Sequence, residues 1–113
     1  MDKGTLTTGR DCWAMPDKLS AKGVKAWGAI VALAKKHELS DGGCRVFYSP
    51  KEWAARGERY GCKSKLVVVY DGGEFGDICK FDGPFYEELL ASPMMKGLFI
   101  EECTGWYSAV YPC

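Results

Sequence analysis

The sequence predicts an α+β domain, an antiparallel sheet of four to five strands with two to three helices packed mainly on one face. Three observations predict it. "SAKGVKAWGAIVALAKK" carries apolar residues at helical spacing. "LVVVY" is an unbroken run of β-formers. "LFIEECTGWYSAVY" alternates on both sides of a turn-forming "CTG". At 113 residues a single domain is expected, and such a chain buries about two-thirds of its unfolded surface.

The first helix is expected from about 20 to 39. Val24, Trp27, Val31 and Ala34 recur on one stripe, with Ile30 and Leu33 beside them. Ser20 stands as N-cap, Lys35 and Lys36 suit a helix C-terminus, and Gly42 and Gly43 stop it. Gly23 and Gly28 each cost about 1 kcal/mol against alanine inside a helix, and Gly28 beside Trp27 leaves room for another element to approach. Before this helix, Thr5–Thr8 reads as a short strand and a loop runs through Pro16.

"CRVFYS" reads as a strand near 44–48 and runs into "SPKEWAARGERYG". Ser49, Pro50 and Glu52 fall at N-cap, N1 and N3, a capping box with proline where its missing N–H costs nothing, so a helix begins at 50 and ends by 56 to 59. Leu66 to Tyr70 is apolar throughout and predicts a strand buried on both faces. "DGG" then fits a hairpin connection, with a bulge at Gly76 in the stretch from Glu74 to Phe81. "DGPFYEELLASPMMKG" reads as a helix capped by Asp82 or Gly83, with Pro84 at N1, broken at Pro93 before a short further turn. A terminal hairpin closes the chain.

Composition narrows the function classes. Apolar residues at 47% and charged residues at 27% are ordinary for a globular chain and argue against disorder. No apolar run reaches the ~18 residues of a membrane span, and "MDKGTLTTGRDCW" lacks a signal-peptide core, so a cytoplasmic protein with no membrane partner is expected. Six cysteines (12, 44, 62, 79, 103 and 113) include no CxxC pair, and His37 is the only histidine, so zinc spacings are absent. Reduced, mostly buried thiols are expected, with Cys113 the most exposed. Net charge is zero but divided: residues 1–66 carry 13 Lys or Arg against 7 Asp or Glu, and residues 67–113 carry 2 against 8. The split permits one basic and one acidic face, and with an exposed strand it is compatible with a homodimer.

Four stretches are candidate sites. "DGGEFG" lacks the lysine and Ser/Thr of a P-loop, and its acids repel phosphate. Asp71, Glu74 and Asp77 carry oxygen ligands for a hard cation but miss the EF-hand spacing, so the plain hairpin reading is preferred and no metal or cofactor is expected. The segment 45–65 holds Arg45, Lys51, Arg56, Arg59 and Lys63, interleaved with Phe47, Tyr48, Trp53 and Tyr60. Charge for a backbone and rings for stacking is the chemistry of single-stranded nucleic-acid binding, and core packing of Phe47 and Trp53 is its plainer explanation. For catalysis, His37 has no nucleophile signature beside it. Glu87 and Glu88 read as first-turn helix charges, and Glu101 and Glu102 point to opposite faces of a strand. The fourth stretch is "TGWYSAVY". Strand alternation sends Trp106, Ser108 and Val110 one way and Tyr107 and Tyr111 the other, leaving one set as core and the other as an aromatic surface. The sequence thus predicts a non-catalytic protein-binding module using Trp106, Tyr107 and Tyr111. Compact domains of this kind serve as adaptors or as inhibitors of larger machines, phage- or plasmid-encoded antagonists of host defence among them. A nucleic-acid-binding domain using 45–65 is the alternative, and a small enzyme without a recognisable motif the next.

Overall fold

The computed structural model describes residues 13–39, 45–70, 84–104 and 106–113. The expected strand at Thr5–Thr8, the glycine stop at 42–43, the "DGG" hairpin with its acidic loop, the Gly76 bulge and the Asp82/Gly83 cap lie outside these residues. Among them are three α-helices, α1 (Ala21–Lys36), α2 (Pro50–Ala55) and α3 (Pro84–Leu90), and a 3₁₀ turn at Pro93–Met95. Four strands, β1 (Phe47–Tyr48), β2 (Leu66–Val69), β3 (Leu98–Glu102) and β4 (Tyr107–Pro112), form one antiparallel sheet in the order β1-β2-β4-β3. The α+β class and the antiparallel sheet are those expected from sequence. None of these helices is long and apolar enough to cross a membrane.

The register assigns the two faces, because residues directly opposite share a side. Leu66 faces Val110, and Ile100 faces Val110 from the other flank, so these lie on one face with Phe47, Val68 and Leu98. That face is covered by α1 through Ala26, Ala29, Ile30, Leu33 and Ala34, by Leu89 of α3 and by Met95 of the 3₁₀ turn. Val67, Val69, Ala109 and Tyr107 occupy the opposite face, and there α2 lays Trp53 across Val67, Val69 and Tyr107. Two helices pack on one side and the short α2 on the other. This double cover explains why β2 is buried at every position.

Local chemistry fixes the elements. Ser20 Oγ accepts from the Gly23 N–H (3.2 Å) to start α1. The predicted capping box of α2 is present, with the Glu52 N–H donating to Ser49 Oγ (3.1 Å) and the Ser49 N–H donating to Glu52 Oε1 (3.0 Å). The same carboxylate accepts from Arg45 Nη2 (2.7 Å), which ties the helix start to the approach of β1.

The end of α1 differs from expectation. It closes at Lys36 in a Schellman motif, where the Leu39 N–H donates to the Ala34 carbonyl (2.9 Å) and the Glu38 N–H to that of Lys35 (3.2 Å). The left-handed residue is Glu38, at φ 52°, a position where glycine is usual. Relief of a left-handed penalty of about 1–2 kcal/mol outweighs glycine's extra chain entropy of about 0.5–1 kcal/mol. Glu38→Gly is therefore expected to raise stability by about 0.5–1 kcal/mol, read from the urea midpoint. A lowered midpoint would show that the glutamate side chain makes a contact outweighing the strain.

Candidate functional site

The candidate residues meet on the part of the α2-side face that no described helix covers. Trp53 covers β2 and the Tyr107 end of β4. Over β4 and β3 the face carries Tyr111, stacked on Phe99 with ring centroids 5.9 Å apart, and Glu101. The segment after α2 walls this area. Gly61, at φ +86°, seats against Val67 and Ala109, and a side chain there would be strained. The Ser64 hydroxyl donates to the Gly61 carbonyl (2.6 Å) and the Tyr107 hydroxyl to that of Tyr60 (3.4 Å), which pins the loop to β4. The result is a shallow cleft of about 330 Å³ lined by Arg59, Tyr60, Gly61, Cys62, Lys63, Glu101 and Tyr111.

The cleft unites residues from both expected sites: Tyr111 from the aromatic strand, Arg59 and Lys63 from the basic segment. Tyr60, 49% exposed, and Phe99, 37% exposed, add apolar surface. None of Arg59, Lys63 and Glu101 is ion-paired to another described residue. Burial, and behind it Cys103 and Glu101, raises the Tyr111 phenol above its ordinary value, while a hydrogen bond with the Gly61 backbone works the other way.

The other candidates are placed differently. Tyr107 is 1% exposed and is core rather than surface. Trp106 does not follow the expected alternation, because it precedes the strand, which begins at Tyr107. Its ring meets Tyr107 at 4.6 Å and Trp53 at 5.7 Å, half-buried on the α2 side. Arg45 and Arg56 are engaged within the protein. Their guanidiniums lie 4.1 and 5.4 Å from the Tyr48 ring, and Arg56 also covers Trp53 at 4.6 Å. Arg45 pairs with Glu52, and Arg56 with Glu58 at 3.5 Å. Lys51 lines a separate recess with Asp17, Lys18 and Glu52.

No family model matches this chain, and no curated protein or solved structure matches it. Function is therefore read from chemistry alone.

His37 caps α1, edges onto Phe85 at 4.7 Å and lies 2.9 Å from Glu88, which also pairs with Lys36. These contacts clamp α1 to α3. The groove beside them, about 310 Å³, is walled largely by Ala29, Ala32, Leu33, Leu89 and Met94. Among the described residues no group of three or more His, Cys, Asp or Glu could hold a metal ion.

The ionisable groups lead to two expected outcomes. Burial, with Glu101 and Cys62 nearby, pushes the Cys103 thiol up to about 11, so it stays protonated near neutral pH. Iodoacetamide should then modify the exposed Cys113 well before the half-buried Cys103, read by peptide mass spectrometry; equal rates would refute the protected thiol. The Arg45 hydrogen bond holds Glu52 below its ordinary value of 4.5. A depressed carboxylate contributes stability above its unfolded pKa and loses it as pH falls through the folded pKa. The gap in urea midpoint between wild type and Glu52→Gln should therefore be widest near neutral pH and close on acidification below about 4.3. A gap independent of pH would assign the effect to packing.

Proposed function

We propose that this protein is a small binding module that engages another protein through the Tyr60–Phe99–Tyr111 face, acting as an adaptor or as an inhibitor of a larger assembly. One observation supports the reading: three partly exposed aromatic rings stand beside Arg59, Lys63 and Glu101, none of them ion-paired among the described residues, on a surface whose loop is hydrogen-bonded to β4. Tyrosine and arginine are enriched among residues that dominate binding energy, and a pre-ordered loop lowers the entropy cost of docking. Nucleic-acid binding is the second reading, supported by Arg59 and Lys63 beside Tyr60. Against it, Arg45 and Arg56 already serve Tyr48, Glu52 and Glu58.

The test is affinity capture from lysate of the source organism, with and without nuclease. Wild type is compared with a Phe99→Ala, Tyr111→Ala double variant shown to be folded by circular dichroism. One protein retained after nuclease and lost by the variant is the expected result. Capture abolished by nuclease would transfer the reading to nucleic acid, and a partner kept by the variant would place the site elsewhere.

A further inference from the structure

β3 is an edge strand. It pairs with β4 on one side, and among the described residues no strand lies beyond it. The Cys113 N–H donates to the Gly97 carbonyl (2.8 Å) and the Cys103 N–H to that of Tyr107 (3.1 Å). These are register partners, so along β3 the residues in step with them, Phe99 and Glu101, turn their backbone groups to β4. Leu98, Ile100 and Glu102 turn theirs outward. Proteins commonly blunt such an edge with charged side chains or proline; β3 has no proline, and its charges are the two acids Glu101 and Glu102, which repel a like strand and admit a basic one. Its exposed side chains are Phe99, Glu101 and Glu102.

We propose that β3 accepts an extended segment of another protein, which joins the sheet as an added strand with an apolar side chain beside Phe99 and a lysine or arginine beside Glu101. This rests on the protein-binding reading and names the form its partner takes. Backbone pairing supplies affinity, and alternate side chains supply selectivity. Phe99 and Glu101 share a face two residues apart, so the segment carries its apolar and basic residues two apart. Charge selects the occupant. In the two-fold pairing of β3 with a second copy centred on Ile100, the two Glu101 side chains become diagonal neighbours about 7–8 Å apart, where like charges repel. A basic strand meets the same acids favourably.

Selection of displayed random peptides on the full chain at low ionic strength tests this. Enriched sequences should carry an apolar and a basic residue two positions apart, and a synthetic representative should protect the Leu98, Ile100 and Glu102 amides from hydrogen exchange. Glu102→Pro, which deletes one outward N–H, and Glu101→Lys should each weaken it about tenfold or more, while Glu102→Ala changes it less than about threefold. If Glu102→Pro does not fold, amide protection and Glu101→Lys decide. Failure to enrich any peptide overturns the proposal. So does binding indifferent to a folded Glu102→Pro, and so does protection of these amides in the free chain, by its own residues or by a second copy. A lysate partner lost with Phe99→Ala, Tyr111→Ala but kept by Glu102→Pro overturns strand addition and leaves the binding face standing. The expected peptide signature without any lysate partner supports the edge and removes the wider reading.

Discussion

Replacing Trp53 by alanine is expected to cost about 3–5 kcal/mol, the range for deleting a large buried ring. For a domain whose total stability is of order 5–15 kcal/mol, that removes much of the margin. Trp53 is 0% exposed and meets Tyr48 and Tyr107 at 4.9 Å and Trp106 at 5.7 Å. It is also the single buried side chain that α2 contributes, so its loss detaches the helix from the sheet. Trp53→Phe is expected to cost much less. It keeps an aromatic ring, and it removes a buried indole N–H that has no hydrogen-bond partner among the described residues, a defect worth about 1–3 kcal/mol. Urea unfolding followed by far-ultraviolet circular dichroism avoids the fluorescence change. A loss below about 1 kcal/mol for Trp53→Ala would mean that α2 does not depend on its anchor.

Gly23→Ala is expected to destabilise by about 1–3 kcal/mol, although alanine is the better helix former. A Cβ on Gly23 would lie 2.4 Å from the backbone carbonyl oxygen of Lys65. That oxygen belongs to the chain entering β2 and cannot swing aside, so α1 must lift from the sheet. Gly28→Ala is the matched control. Its Cβ would meet the methyl end of Met94 at 2.7 Å, a flexible tip on a partly exposed side chain. Gly28→Ala should be neutral or stabilising by up to about 1 kcal/mol. Destabilisation of equal size at both positions would contradict the distinction between a backbone and a side-chain obstacle.

These glycines also mark where the sequence was legible. Apolar periodicity located α1, the spacing Ser49-Pro50-Glu52 located the start of α2, and an unbroken apolar run located β2. Those signals are local, and local physics decides them. Gly28 as a point of close approach was readable from its neighbour Trp27, and Met94 of the 3₁₀ turn does approach there. The closer contact at Gly23 was not readable, because Lys65 is 42 positions away (65 − 23) and nothing near Gly23 announces it. α1 stops at Lys36, short of the expected 39, because Glu38 takes the left-handed position that glycine usually holds. The side of the sheet taken by α2 was equally silent, since one buried tryptophan on six residues closes either face. The cleft needs Arg59 and Lys63 placed over Tyr111, a juxtaposition created by strand order. Periodicity shows which side of a strand is buried and says nothing of which strand lies beside it. For that reason Phe99 and Glu101 escaped notice as partners of Tyr111.

The position of β4 has a consequence for biosynthesis. It is the inner strand between β2 and β3, yet it comes after both in the chain. Until the ribosome has delivered residues 107–112, β2 has a bare inner edge, and Val67 and Val69 lack the Tyr107 they pack against. The sheet cannot close before β4 emerges, because β4 bridges β2 and β3. Until then β2 presents an unpaired, Val-rich edge, the kind of surface that invites pairing with another chain.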